Sequence, residues 1–147
     1  MKYLLALTVT LLGLLGAASA DDAVQKELAL MKGAWKVVSF EIDGRKPLSD
    51  ADLDKFLITI DADGRFTATF ADKLINESTN KIDPTKTPKT IDTVFTKGPM
   101  KGKTSLALYE LKGDTLKLCA GDPDQERPAD MSGKGSTLAV YKRQKGK

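Results

Sequence analysis

Gly33-Ala34-Trp35-Lys36-Val37-Val38-Ser39-Phe40-Glu41-Ile42-Asp43-Gly44 holds the only tryptophan of the chain and its longest apolar-rich run after the first twenty residues. β-Branched and aromatic side chains dominate it, and it ends on Asp-Gly, a dipeptide that readily turns a strand back on itself. It reads as a founding strand over Ala34–Ile42, and the later segments read as strands returning to pair with it.

Upstream of Gly33, the residues Val24, Glu27, Leu28 and Met31 share one side of a helix that Asp21 and Asp22 can cap and Gly33 can stop. Its apolar side is expected to close one end of whatever the strands build. Before it stand Lys2, an apolar run from Tyr3 to Leu15, and Ala17-Ala18-Ser19-Ala20. A basic start, a short apolar stretch and an A-x-A ending are the parts of a secretory signal peptide. Residues 1–20 are therefore expected to be cleaved, and 21–147 to form a single domain, secreted or periplasmic and soluble once released. A retained membrane anchor needs about 20 apolar residues, which this run does not reach. No cysteine stands at the junction to take a lipid.

Without Lys2 the chain carries 22 basic against 20 acidic residues, both signs interspersed. That balance argues against a nucleic-acid or membrane footprint, and the basic end, Lys142, Arg143, Lys145 and Lys147, reads as a solvated tail. The absence of histidine excludes a Ser-His-Asp triad, a Cys-His pair and a His-based zinc site. Cys119 is the only cysteine, so no intramolecular disulfide can form, and it reads as a small half-buried strand residue. A mature domain of this length can bury a core without staples.

Downstream of Gly44, Ser49 and Asp52 have the spacing of a capping box, and Leu53, Phe56 and Leu57 are spaced for a second short helix. Leu57–Ile60 and Arg65–Phe70 flank Asp61-Ala62-Asp63-Gly64, a hairpin signal. A calcium loop fails there, because Arg65 and Phe66 stand where oxygen and glycine are needed. Lys73–Asp83 is polar and weakly patterned, a fourth and irregular strand, and Pro84 and Pro88 confine Asp83-Pro-Thr-Lys-Thr-Pro to a turn or an edge. Asn76-Glu77-Ser78 fits a glycosylation sequon, a three-residue match that arises often by chance.

Ile91–Thr96 is the next strand. Gly98-Pro99-Met100-Lys101-Gly102-Lys103-Thr104 looks like a phosphate loop but is one residue short, and Thr104 opens a β-run instead of the helix whose amides would hold phosphate. It reads as a lysine-rich hairpin loop whose Lys97, Lys101 and Lys103 could attract an anion at a barrel mouth. Ser105–Leu111 and Thr115–Ala120 form a hairpin around Lys112-Gly113-Asp114. In the polar loop Gly121–Gly135, the carboxylates Asp122, Asp124 and Glu126 read as solvated charge in preference to metal ligands. The last strand, Thr137–Arg143, places Ala139, Tyr141 and Arg143 on one face.

Seven or eight short strands at hairpin spacings, with a helix on either side of the first, give an all-β fold. Its architecture is expected to be an antiparallel up-and-down barrel of about eight strands, which removes its own edges; a β-sandwich has the same period. Several motifs occurring together resemble a family of small secreted, lipocalin-like proteins abundant in planctomycete bacteria and of unassigned function. They are Gly33-Ala34-Trp35-Lys36-Val37-Val38, Lys81-Ile-Asp-Pro-Thr-Lys-Thr-Pro-Lys89, Gly98–Thr104, Tyr109–Cys119, Glu126-Arg127-Pro128 and Lys142-Arg143, so that the match runs from about Leu28 to Arg143. More broadly, Gly-x-Trp on the first strand with an arginine near the end of the last resembles the lipocalin or calycin pattern, in which the arginine packs over the tryptophan; Trp35 and Arg143 take those places. Gly-x-Trp-Lys-x-Val-Ser is also similar to intracellular fatty-acid-binding proteins, whose ligand carboxylate meets Arg-x-Tyr, whereas this chain has Tyr141-x-Arg143.

The resemblance implies a barrel whose interior either holds one ligand or is filled by its own side chains. In the first case Tyr141 and Arg143 clamp an anionic head group, and Trp35, Phe40, Phe66, Phe70 and Tyr109 complete the ligand-binding set. In the second, Trp35 is a core plug, Arg143 its lid and the phenylalanines packing. The function expected is binding of a small apolar or anionic amphipathic molecule, without catalytic residues, metal or cofactor. A secreted interaction or inhibitor module with a filled barrel is the alternative, and an enzyme would have to rest on Glu41, Asp92 and Glu110. On the leader reading, N-terminal sequencing of the exported protein should begin at Asp21, and a chain starting at Met1 would overturn it.

Overall fold

The computed structural model describes residues 19–145. The apolar run that carries the leader reading lies outside them. Eight antiparallel strands follow one another around a closed barrel: β1 (Gly33–Ile42), β2 (Phe56–Ile60), β3 (Arg65–Phe70), β4 (Lys73–Asp83), β5 (Lys89–Lys97), β6 (Thr104–Lys112), β7 (Thr115–Ala120) and β8 (Thr137–Arg143). Each pairs with its neighbour in the chain, and β8 returns to β1, with Trp35 opposite Arg143 and Val37 opposite Tyr141. This is an all-β barrel of lipocalin-like architecture, and closure leaves no free sheet edge.

Helix α1 (Ala20–Met31) precedes the barrel. Its cap is Ser19, whose side chain accepts from the Asp22 N–H, with Asp21 and Asp22 in the first turn where the helix dipole favours negative charge. Leu28 and Met31 are buried and pack with Trp35, Ile60, Ile82, Ile91, Tyr109 and Leu116 into a core that fills one end of the barrel. Trp35 is 0 % exposed, and its indole N–H donates to the Met31 carbonyl at 2.8 Å. The Arg143 guanidinium stacks 4.3 Å from the indole ring centre and donates to the carbonyls of Leu30 and Lys32 and to the Asp114 carboxylate. Gly33 stands where α1 gives way to β1, at φ +133°, and a Cβ there would sit 3.0 Å from the Arg143 guanidinium, so only glycine lets helix, strand and arginine converge.

The chain differs from the sequence expectation in three places. The Ser49–Asp52 capping box forms, with the serine hydroxyl 2.8 Å from the carboxylate, but α2 (Asp50–Leu53) is a single turn. Phe56 and Leu57 belong instead to β2, where they pair with Phe70 and Thr69, and the Phe56 and Phe70 rings meet edge to face at 4.8 Å. Lys73–Asp83 is an eleven-residue strand and, as expected, an irregular one, with register shifts against both β3 and β5. Its polar character reflects an inward face of Asn76, Ser78 and Asn80 whose amides and hydroxyls are held inside the barrel. Cys119 is fully buried on the outer face, beside Leu108 and Leu138, because the β7–β8 loop folds back over the wall and Gly133 rests on the Leu138 side chain. Arg127 of the same loop donates to the Ala107 carbonyl at 2.7 Å and to the Asp92 carboxylate.

Trp35 is the largest side chain of the closed end, so Trp35→Ala is expected to cost about 3–5 kcal/mol, the usual range for emptying a buried aromatic site. Urea denaturation followed by far-ultraviolet circular dichroism reads this without depending on the lost fluorophore.

Candidate functional site: the barrel cavity

The strands run between two unlike ends. The α1 end is packed solid, whereas the other half of the barrel encloses a cavity of about 510 Å³. That volume lies within the range of small-molecule sites in proteins. Its mouth is bordered by the β1–β2 loop at Leu48, the β5–β6 loop at Met100 and the β7–β8 loop at Gly121–Pro123.

Two kinds of wall face each other across it. β1, β2, β3, β7 and β8 present Val37, Phe40, Phe56, Ile58, Phe66, Ala68, Leu118 and Ala139, among others, an almost wholly apolar surface. β4, β5 and β6 present Asn76, Ser78, Asn80, Thr93 and Ser105. Most of that polar side is internally satisfied. The Asn80 amide donates to the Gly64 carbonyl at 3.0 Å and to the Ser78 hydroxyl at 3.1 Å, and accepts from Thr93 at 2.6 Å; Ser105 donates to the Gly121 carbonyl at 3.0 Å. Among the described residues no lysine or arginine lines the cavity, and the one charged group in its lining is Asp122 at the rim.

Strand irregularities decide which side chains face in. The β1–β8 register jumps between Val37 and Ser39, so Val38 bulges and Phe40, opposite Ala139, turns inward beside Val37. A second jump between Ala68 and Thr69 puts both Ile75 and Asn76 of β4 on the cavity.

Of the residues that the sequence nominates, Phe40, Phe66 and Tyr141 line the cavity. Trp35, Tyr109 and Arg143 do not: all three belong to the closed end. Phe70 lies against Phe56, with the Lys55 ammonium over its ring, and is also off the cavity wall. Tyr109 is buried and its hydroxyl donates to Glu27 at 3.1 Å, while Lys89 reaches the same carboxylate oxygen at 2.6 Å, a buried group that fastens α1 to β5 and β6. Asn80 and its partners were missed by sequence reasoning; treating Lys73–Asp83 as a regular strand would have aligned Ser78, Asn80 and Ile82 on one face. Asn76 of the sequon lines the cavity. In the β5–β6 loop, Lys97 pairs with Glu77 at 3.3 Å while Lys101 and Lys103 are exposed. Asp124 serves as a clasp, accepting from the Thr104 N–H at 3.1 Å.

Tyr141 is one of the unpaired polar side chains of the lining. Among the described residues its hydroxyl makes no hydrogen bond, yet no fully buried side-chain oxygen lacks a partner. The hydroxyl therefore reaches open space, and the open space beside it is the cavity. Comparison of the chain with protein-family models, curated proteins and solved structures returned no match.

Enclosure in the barrel pushes the Tyr141 hydroxyl up to about 12. Burial first, and then the Glu27 charge, push Tyr109 higher still. Both phenols are held neutral by the fold, so the stability they contribute is complete below the free-phenol value of about 10 and is lost as pH rises through the folded values. In protein cleaved after Ala20 these are the only tyrosines. Tyrosinate absorbance should stay flat past pH of about 10 and rise only as the circular dichroism signal is lost. Half the absorbance titrating near 10 in folded wild-type protein, and absent in Tyr141→Phe, would show instead that this phenol is freely hydrated.

Proposed function

We propose that this protein is an extracytoplasmic binding protein that carries one small, uncharged and predominantly apolar molecule in the open half of its barrel. The observation that carries the reading is the cavity itself: about 510 Å³ enclosed by side chains, apolar over most of its wall, shut at one end and bordered by loops at the other. A module acting only through its outer loops has no use for such a space, and small residues keep it open, with Ala68, Ala107, Ala120 and Ala139 on the wall.

Of the two ligand chemistries that the sequence suggests, the uncharged one is favoured. An anion buried here would lack a cation, because the lining has none among the described residues and the Arg143 guanidinium is engaged at the closed end. Binding without chemical conversion fits the carboxylates as well. Glu41, Asp92 and Glu110 pair with Lys46, Arg127 and Lys112 respectively, and none lines the cavity. The extracytoplasmic location rests on the leader pattern before Asp21, and no helix among the described residues is long and apolar enough to cross a membrane. The resemblance to secreted lipocalin-like proteins carries the same reading.

The test is titration with the neutral fluorophore N-phenylnaphthylamine. Wild-type protein should bind it with enhanced fluorescence. Ala68→Trp, which fills the cavity from β3, should weaken binding at least tenfold, about 1.4 kcal/mol, with an unchanged circular dichroism spectrum. Absence of binding by the wild type, or equal binding by the filled variant, would overturn the proposal. Native mass spectrometry of protein secreted by its own host then identifies the cargo by its mass.

A further inference from the structure

The cavity holds two unequal sets of polar groups, those already bonded within the barrel and those left free. Asn80, Thr93 and Ser105 belong to the first set. Tyr141 and Asn76 belong to the second: neither side chain makes a hydrogen bond among the described residues, although both line the cavity. Thr137 and Asp122 are also free but stand at the rim, where β8 begins and β7 has ended, and Asp122 is exposed.

The two interior groups differ in depth. Tyr141 lies opposite Val37 and Leu116 in the ladder, and Leu116 belongs to the packed core beneath, so the phenol stands on the cavity floor. Asn76 lies by the mouth: a Cβ on Gly98 of the β5–β6 loop would sit 3.0 Å from the Asn76 Cβ. They also stand on facing walls, since β4 and β8 are four places apart around a ring of eight strands. Both side chains are half-buried and unpaired, so their hydrogen-bonding capacity is turned towards whatever occupies the cavity.

We infer that the cavity reads its ligand at two points, Tyr141 on the floor and Asn76 near the mouth on the opposite wall. The occupant is then an uncharged, elongated molecule with a hydrogen-bond acceptor at its inner end, a second polar group towards its outer end and an apolar body between them. The inference rests on the cavity-binding reading and narrows it to a ligand class. Tyr141 donates to a hydroxyl, carbonyl or ether oxygen; it stays neutral at physiological pH, so it neither repels a lone pair nor pairs a charge. Asn76 can donate and accept, which suits a terminal hydroxyl or amide. The apolar wall formed by Phe40, Ile58, Phe66 and Leu118 covers the body.

The experiment uses four probes of one chain length, decane, decanol, decanediol and decanoate, each displacing N-phenylnaphthylamine from wild type, Tyr141→Phe and Asn76→Leu. Circular dichroism confirms that each variant is folded. Loss of one neutral hydrogen bond corresponds to roughly five- to tenfold in affinity. Tyr141→Phe should weaken decanol and decanediol by about that factor and leave decane unchanged, and Asn76→Leu should weaken decanediol alone. Decanoate should displace the fluorophore less well than decanol. Equal losses for decane and decanol in Tyr141→Phe, no selective loss in Asn76→Leu, or preference for decanoate would overturn the two-point assignment while wild-type binding of decane, blocked by Ala68→Trp, left cavity binding standing. Failure of every probe to enter the wild-type protein would overturn both.

Discussion

The Arg143 guanidinium over the Trp35 indole is the contact on which the rest of the barrel depends. It joins three parts of the chain: the end of α1 through the Leu30 and Lys32 carbonyls, β1 through Trp35, and β8 through Arg143 itself. Each component is favourable for its own reason. A cation over an indole face contributes about 0.5–2 kcal/mol, depending on how far it is desolvated. A positive charge at the carboxyl end of a helix also meets unpaired carbonyls and the negative end of the helix dipole. Lysine could not do the same, because only the planar guanidinium can lie flat on the ring while donating in several directions in its own plane. As Arg143 is paired with Trp35 in the ladder, the same contact fixes the β1–β8 seam that turns a meander into a barrel.

Closing one end so firmly allows the other to stay open. Cavities are ordinarily unfavourable, since their lining loses dispersion contacts that a packed interior would have. Here the loss is confined to one half, and the other half supplies Trp35, Tyr109, Met31, Ile60, Ile91 and Leu116, all nearly or fully buried. The bulges act in the same sense. Strict alternation from Trp35 through Val37 would carry Ser39 and Glu41 inward and send Phe40 to solvent. The irregularity at Val38 reverses this and keeps a carboxylate out of an apolar space.

The barrel was legible in the sequence because its signals are local. Asp61–Gly64 and Lys112–Asp114 announce hairpins, and hairpins in succession leave few architectures other than a closed meander. Helix α1, β3, β7 and β8 fall within about a residue of where periodicity puts them. The site was less legible, for two physical reasons. Alternation assigns faces only between bulges, and a bulge such as that at Val38 has no residue signature. Depth along the barrel axis also depends on the stagger of all the strands together, so Tyr141 and Arg143, two residues apart on one face, lie on different sides of the boundary between floor and core. Tyr109 and Trp35 are aromatic, inward and near the same strands as the cavity, and nothing local separates a residue that fills a barrel from one that lines it. Lys73–Asp83 was obscured for the opposite reason: its inward Ser78 and Asn80 are bonded to each other inside the barrel, and a strand with a polar interior face does not alternate as expected.

The cavity's polar groups also bear on why a barrel of this kind is not simply filled. Exchanging Ala68 or Ala139 for larger apolar residues is a route to greater stability of the sort that proteins reach easily where nothing opposes it. Exchanging Tyr141 for phenylalanine would remove a hydroxyl that forms no bond within the described chain, at no loss of internal hydrogen bonding. Neither change is present. Asn80, by contrast, is bonded through both its amide nitrogen and its oxygen and is explained wholly by the structure it holds together. Structural need thus accounts for Trp35, Arg143, Glu27 and Asn80 but not for Ala68, Ala139, Asn76 or the Tyr141 hydroxyl. The residues without a structural reason all border the same space, and that coincidence, more than any one of them, makes a ligand the economical explanation of the cavity.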